Sequence, residues 1–214
     1  MPELLDKEKE VIGIYLRAHP LDGYKFEMDN YGFLPITELE KSRGRVVRLA
    51  GFVTDTVHAV TKKGSKFGKL VLNDYSGNQE IVFWENNYVQ YNNFIDNGQK
   101  LMIQGVYAEH KYRPGVMEFQ IQNIMLLDNV RKAMTKRLHL LLPLALLTDE
   151  FVDFIYSNVK KYPGNTEFTF QVVDEEKQRI ARLKSHNIKL ELNDELIQFL
   201  LETEGIKYSL ELSN

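Results

Sequence analysis

Lys62, Lys63, Lys66 and Lys69 crowd the segment Thr61-Lys-Lys-Gly-Ser-Lys-Phe-Gly-Lys69, with Phe67 among them. Ammonium groups neutralise phosphates, and an aromatic ring between them stacks a nucleobase for about 1–3 kcal/mol whatever its identity. From Arg43 to Leu72 the further cations are Arg43, Arg45 and Arg48, against a single anion, Asp55. The whole chain of 214 residues has a formal net charge of −3, so this basic stretch is a selective placement and not a general excess. Tyr75, Phe83 and Trp84 follow, and Lys111-Tyr112-Arg113 repeats the basic–aromatic mixture further on. Phe83 and Trp84 are neighbours on a strand pattern, so one faces a core and the other faces out. The expected nucleic-acid-binding set is Lys62, Lys63, Lys66, Phe67, Lys69, Trp84, Lys111, Tyr112 and Arg113.

Signs of catalysis are missing from the pattern. His19, His58, His110, His139 and His186 are scattered without metal-ligand spacing, and no glycine-rich phosphate loop or nucleophile elbow occurs. The absence of cysteine excludes disulfides and thiolate metal sites and fits a reducing, cytoplasmic setting. Asp174-Glu-Glu176 has the composition of a cation site but reads as a solvated hairpin turn. No catalytic residue, metal or cofactor is expected. The longest apolar run, Leu138 to Leu147, is broken by His139 and Pro143 and is too short to span a bilayer. No charged-then-apolar leader opens the chain, and no membrane association is expected.

The elements that must position the basic segment are strands. Val46–Val53, Leu70–Asp74, Gln79–Trp84, Lys100–Tyr107 and Met117–Asn123 are β-rich and alternate, with a helix-compatible stretch, Glu85–Ile95, between the third and fourth. Five strands with a helix between three and four is the order of an OB-fold, a small closed barrel whose ligand lies on strands two and three between loops 1–2 and 4–5. Gly51 and Gly105 sit inside strand patterns, where they permit tight coiling. Residues 1–42 read as an amphipathic helix ending at His19-Pro20, then a short helical stretch from Leu21, too little to build a core alone. Beyond 128, a polar connector from Asp128 to Arg137 precedes a strand (Leu138–Leu142), a helix (Thr148–Lys161), two strands (Glu167–Val173, Gln178–Lys184), a helix (Asn193–Glu204) and a strand (Lys207–Leu212). Thr148 and Asn193 are good helix starts, and Gly205 is a good stop. The fold class is thus mainly β plus α+β: a helical segment over 1–42, an OB-fold over 43–128, and a two-helix α+β protein-interaction domain over 129–214.

These residues also carry a family resemblance. Glu8-Lys-Glu-Val-Ile-Gly-Ile-Tyr-Leu-Arg-Ala-His-Pro-Leu-Asp22 resembles the segment upstream of the OB domain in the alpha subunit of bacterial DNA polymerase III. Val60-Thr-Lys-Lys-Gly64 is similar to that subunit's loop 1–2, and Leu70-Val-Leu-Asn-Asp-Tyr-Ser-Gly77 to its Leu-X-Leu-X-Asp-X-Ser/Thr-Gly. Gln79–Phe83, Tyr88–Phe94 and Leu101-Met-Ile-Gln-Gly105 continue in the same order, and Tyr162-Pro-Gly resembles the C-terminal domain after its first helix. Gln79-Glu-Ile-Val-Phe83 has the outline of a sliding-clamp-binding peptide, but its strand context favours sheet pairing.

The resemblance implies a C-terminal fragment of a replicative polymerase, lacking the polymerase core with its metal-binding aspartates. It implies single-stranded template DNA as ligand of the OB domain, with Lys62, Lys63 and Lys66 matching the family's basic hairpin. It also implies two protein partners, the polymerase core of the same subunit and the clamp-loader tau subunit. An independent OB-fold protein binding single-stranded DNA or RNA, and a protein-interaction scaffold, are the alternatives left open.

Overall fold

The computed structural model describes residues 18–111, 113–174, 176–184 and 188–213. They form two compact units that divide between Asp128 and Asn129. The amphipathic helix expected near the N-terminus falls outside the described residues.

In the first unit a 3-10 turn (Asp22–Tyr24) runs into α1 (Lys25–Asn30), and a second 3-10 segment (Ile36–Ser42) leads to the sheet. The strands are β1 (Val46–Val60), β2 (Lys66–Asn73), β3 (Asn78–Trp84), β4 (Lys100–Glu109) and β5 (Met117–Leu126), with α2 (Glu85–Tyr91) between β3 and β4. All pairs are antiparallel and the order is β3-β2-β1-β4-β5. β1 is shared: its first half pairs with β4 and its second half with β2, with a bulge between Val53 and Asp55. This is OB-fold topology.

The strand ladder does not close as the sequence reading expects. β3 and β5 remain the two edges of the ladder, and the Tyr91 hydroxyl of α2 donates to the Gln122 carbonyl at 3.1 Å. The sheet nevertheless coils around one core, in which Leu49, Leu70, Ile81, Phe83, Leu101 and Ile103 are buried. Coiling brings backbones together at two glycines. A Cβ at Gly51 would lie 2.4 Å from the Asn73 carbonyl oxygen, and one at Gly105 would lie 2.4 Å from that of Gln120. β1 also runs further than its apolar pattern, because its second half is a hairpin arm that is mostly exposed.

Residues 18–31 pack on the outer side of the β1–β4 half, whereas Ile36 and Leu39 of the following 3-10 segment join the core itself. Ala50, Phe52 and Met102 alternate away from the core yet are buried, as are Leu21, Phe26 and Tyr31. The His19 ring stands edge-on to Phe52 at 5.4 Å. Asp74 holds the entry to β1, accepting from the Ile36 amide at 2.8 Å, and the Leu34 amide donates to the Arg48 carbonyl at 2.8 Å.

The second unit begins with α3 (Val130–Met134) and continues through β6 (Thr135–Pro143), α4 (Asp149–Lys161), β7 (Pro163–Asp174), β8 (Arg179–Lys184), α5 (Asp194–Glu202) and β9 (Lys207–Leu212). The expected polar connector therefore contains a helical turn that buries Val130 and Met134, and β6 starts inside it. The sheet order is β8-β7-β6-β9, with β6 and β7 parallel across the α4 crossover. Leu138, Leu140, Leu142, Phe168 and Val172 meet Phe151 and Ile155 of α4 and Leu196 and Leu200 of α5 on one face. Thr148 caps α4, accepting from the Phe151 amide at 3.3 Å, and Asn193 caps α5, accepting from Leu196 at 2.9 Å. The other face is polar. Arg137 on β6 reaches Glu167 on β7 and Glu211 on β9, each at 2.6 Å, and His139 bonds the Thr169 hydroxyl at 2.7 Å.

Candidate nucleic-acid interface

The turn that carries the lysines is built by its own residues. The Thr61 amide donates to the Ser65 carbonyl at 2.8 Å, the Gly64 amide to the Thr61 carbonyl at 2.9 Å, and the Ser65 amide to the Thr61 hydroxyl at 3.1 Å. Gly64 adopts φ +85°, a conformation that favours glycine. So tight a turn leaves Lys62 and Lys63 no interior to enter, and both are exposed. Lys66, Phe67 and Lys69 belong to β2 and not to the turn. Alternation places Phe67 and Lys69 on the outer face and Lys66 on the side of Gly68 and Leu70, at the exposed end of the strand.

Across the ladder Phe67 is the register partner of Trp84, and their rings stack at 5.1 Å with an interplanar angle of 23°. Phe83 is fully buried, whereas Trp84 is 38% exposed, which decides which of the two faces a ligand. The turn that follows is abrupt. Glu85 has φ +41°, a left-handed conformation that costs a non-glycine residue about 1–2 kcal/mol, and it ends β3 immediately beyond Trp84. Val57, Val71 and Val82 share the outer face with this pair by register, with Lys69 between Val57 and Val82. Sequence reading did not single out these valines, although their even spacing from Phe67 and Trp84 along β2 and β3 was a usable signal.

Behind the platform, α2 packs where Gly68 has no side chain. A Cβ there would be 2.6 Å from Ile95 Cδ1 and 3.0 Å from the Tyr88 ring. His58 ties the same place together, one ring nitrogen 3.0 Å from the Tyr88 hydroxyl and the other 3.0 Å from the Ile95 carbonyl.

The cations sort into tied and available groups. Arg43 pairs with Glu40, whose carboxylate is held below its ordinary range first by the Tyr107 hydroxyl and then by Arg43. Arg45 donates to the Lys41 carbonyl at 3.0 Å and Arg48 to Gln104 at 3.1 Å. Lys69 pairs with Glu80 at 3.0 Å, a pair exposed enough to be worth about 0–1 kcal/mol and so readily exchanged for a phosphate. Lys62, Lys63 and Lys66 have no ion pair among the described residues.

Tyr75 is a correction to the set of interleaved aromatics. Its hydroxyl donates to Asp22 at 2.9 Å and its ring lies 4.2 Å from that of His19, so it fastens the 18–42 segment to the sheet. Burial, then the Asp22 bond, pushes its phenol up from the usual range.

Loop 4–5 is a compact turn in which the His110 amide donates to the Val116 carbonyl at 2.7 Å and Gly115 adopts φ +79°. Lys111 and Arg113 are exposed on it, and Tyr112 falls outside the described residues. It follows the part of β4 that lies beyond the β1 start, Val46, whereas the lysine turn follows the β1 end, Val60. Among the described residues no group of three or more His, Asp or Glu suited to a metal ion occurs.

Comparison with known proteins finds two family matches on separate stretches of the chain. Residues 47–127 match the family described as OB-fold nucleic acid binding domain. Residues 138–211 match the one described as DNA polymerase III alpha subunit, C-terminal domain. Among curated relatives, DNA polymerase III subunit alpha of Pasteurella multocida is 26% identical over 164 residues, covering 76% of this chain and 14% of its own length. That of Pseudomonas aeruginosa is 22% identical over 205 residues, covering 96% of this chain and 17% of its own. The chain therefore spans only a small part of the relatives it matches. Of solved structures, the replication factor A related protein of Methanobacterium thermoautotrophicum is similar over 45% of this chain and 91% of its own, at 19% identity and a TM-score of 0.32.

Proposed function

We propose that this chain, which is similar to the C-terminal region of the DNA polymerase III alpha subunit, serves a replicative polymerase as a non-catalytic module. In this reading the first unit binds single-stranded template DNA and the second binds a protein of the replication machinery, the clamp-loader tau subunit. The polymerase core of the same subunit is the third partner, and the setting is cytoplasmic. The observation that carries the DNA reading is the open outer face of β1–β2–β3. There the stacked Phe67–Trp84 pair adjoins a turn whose lysines are committed to nothing else. Bases stack on the rings and phosphates meet the ammonium groups, a combination that binds without sequence preference. Fluorescence anisotropy with labelled oligo-dT tests it. With about three to five phosphates neutralised, the log–log salt slope is expected at roughly −2 to −3.5. Changing Lys62, Lys63 and Lys66 together to alanine should flatten that slope by roughly two units. Binding that salt does not weaken refutes the reading. For the second unit, a pull-down with the cognate tau subunit is the matching test. Primer extension by the isolated chain should be absent, because polymerase phosphoryl transfer needs carboxylates that hold two metal ions about 4 Å apart.

A further inference from the structure

The sheet of the second unit ends at an open edge. β8 has β7 as its single neighbour, and all its residues from Arg179 to Lys184 are exposed. Among the described residues, no group beyond β7 bonds its backbone. On the helix side, between β8 and α4, lies an apolar cavity of about 230 Å³, lined by Val152, Tyr156, Phe170, Leu183 and Ile188 among others. Leu183 is 51% exposed there and Tyr156 57%, so the chain's own described residues leave this surface open.

Alternation gives the two sides of β8 different chemistry. On the helix side Leu183 lines the cavity, with Ala181 and, at the start of the strand, Arg179 on the same side. Ile180, Arg182 and Lys184 face the other side, where Lys184 lies 3.9 Å from Glu167. β8 contains Arg179, Arg182 and Lys184 and no anion, and neither arginine has an ion pair among the described residues. A second copy of β8 laid antiparallel against the first would set cation against cation, which disfavours self-pairing. An acidic strand meets the opposite condition.

We infer that β8 is a docking edge for an extended segment of a partner protein in which apolar residues alternate with acidic ones. Added as a further strand, such a segment places its apolar side chains in the cavity beside Leu183 and its carboxylates beside Arg182 and Lys184. Main-chain hydrogen bonds supply affinity and the alternation supplies specificity. The inference rests on the protein-interaction reading of the second unit and is independent of DNA binding.

The test is anisotropy of a short labelled peptide alternating glutamate with leucine, titrated with the full chain. Two further copies of the peptide carry backbone N-methyl groups on alternate residues, one copy for each phase. Binding should be abolished by one methylation phase and spared by the other, because only alternate amides of a strand face its neighbour. R182E should weaken the peptide by about tenfold or more with the melting curve unchanged, and K62A with K63A should leave it unaffected. Equal binding of both methylated copies, or equal binding by the R182E variant, overturns the inference. No peptide binding alongside retained capture of tau also overturns it, while leaving the interaction reading of the second unit in place.

Discussion

Trp84 is the sole tryptophan of the chain and lies stacked on Phe67 on the outer face, so its fluorescence reports directly on what covers that face. Single-stranded oligonucleotide should quench it in step with the anisotropy change, and Trp84→Ala should weaken DNA by 1–3 kcal/mol, about 5- to 150-fold. Its ring is over a third exposed, so the same substitution should cost the fold far less than truncating buried Phe83, where about 3–5 kcal/mol is expected. A Trp84→Ala chain that binds oligo-dT like its parent would move the ligand off this face. Tyr75 makes the useful contrast. Tyr75→Phe removes the bond to Asp22 and should lower stability by about 1 kcal/mol with DNA affinity intact, because that hydroxyl is committed to the N-terminal segment.

At the scale of elements, the two helix caps of the second unit differ in what stands behind them. Thr148 caps α4 from an exposed position, so Thr148→Ala should cost about 1 kcal/mol. Asn193 caps α5 and is also bonded twice to the buried Asn158 amide, at 3.0 and 3.4 Å. Asn193→Ala should therefore cost the cap and a further 1–3 kcal/mol or so for the stranded Asn158 group. Urea melts of the two variants check the order, and equal losses would contradict it. In the first unit the sensitive element is the β1–β2 crossing. Gly51→Ala drives a methyl against the Asn73 carbonyl, a backbone atom with little freedom to yield, and a loss of about 1–3 kcal/mol or more is expected.

For the molecule as a whole, the polar face of the second sheet ties three strands together through charge. The Arg137 guanidinium holds Glu167 below the usual carboxylate range, and Lys136, then Arg137, does the same for Glu211. A carboxylate with a lowered folded pKa contributes stability above its unfolded value, about 4.3, and loses it as pH falls through the folded value. The melting temperature should thus fall below about pH 4.3. Arg137→Gln should reduce it at neutral pH but make progressively less difference in acid. Thermal melts from neutral to acid pH compare the two chains, and a gap that stays constant with pH would refute the ion-pair account.

Much of this molecule is legible in its residues alone, and the limit has a physical cause. Alternation over Leu70–Asp74 and Gln79–Trp84, the caps at Thr148 and Asn193, and the Gly64 turn are local, because strand period, orphan helix amides and left-handed φ are settled within a few residues. Local period also dictates that Phe83 and Trp84 point opposite ways. Which one faces solvent is an absolute phase, and burial against Leu49, Leu70 and Leu101 sets it from far along the chain. Tertiary structure alone decided that residues 18–31 cover the β1–β4 half of the outer face, since Tyr75 meets His19 and Asp22 only once the sheet has coiled. It decided too which cations are available: Lys69 meets Glu80 from a neighbouring strand, whereas Lys62 and Lys63 stay exposed on the turn. Residue types and spacing along the chain determined the elements and the basic turn. Pairing between distant strands determined which side of them is open, because burial is a property of what lies opposite and not of what lies adjacent.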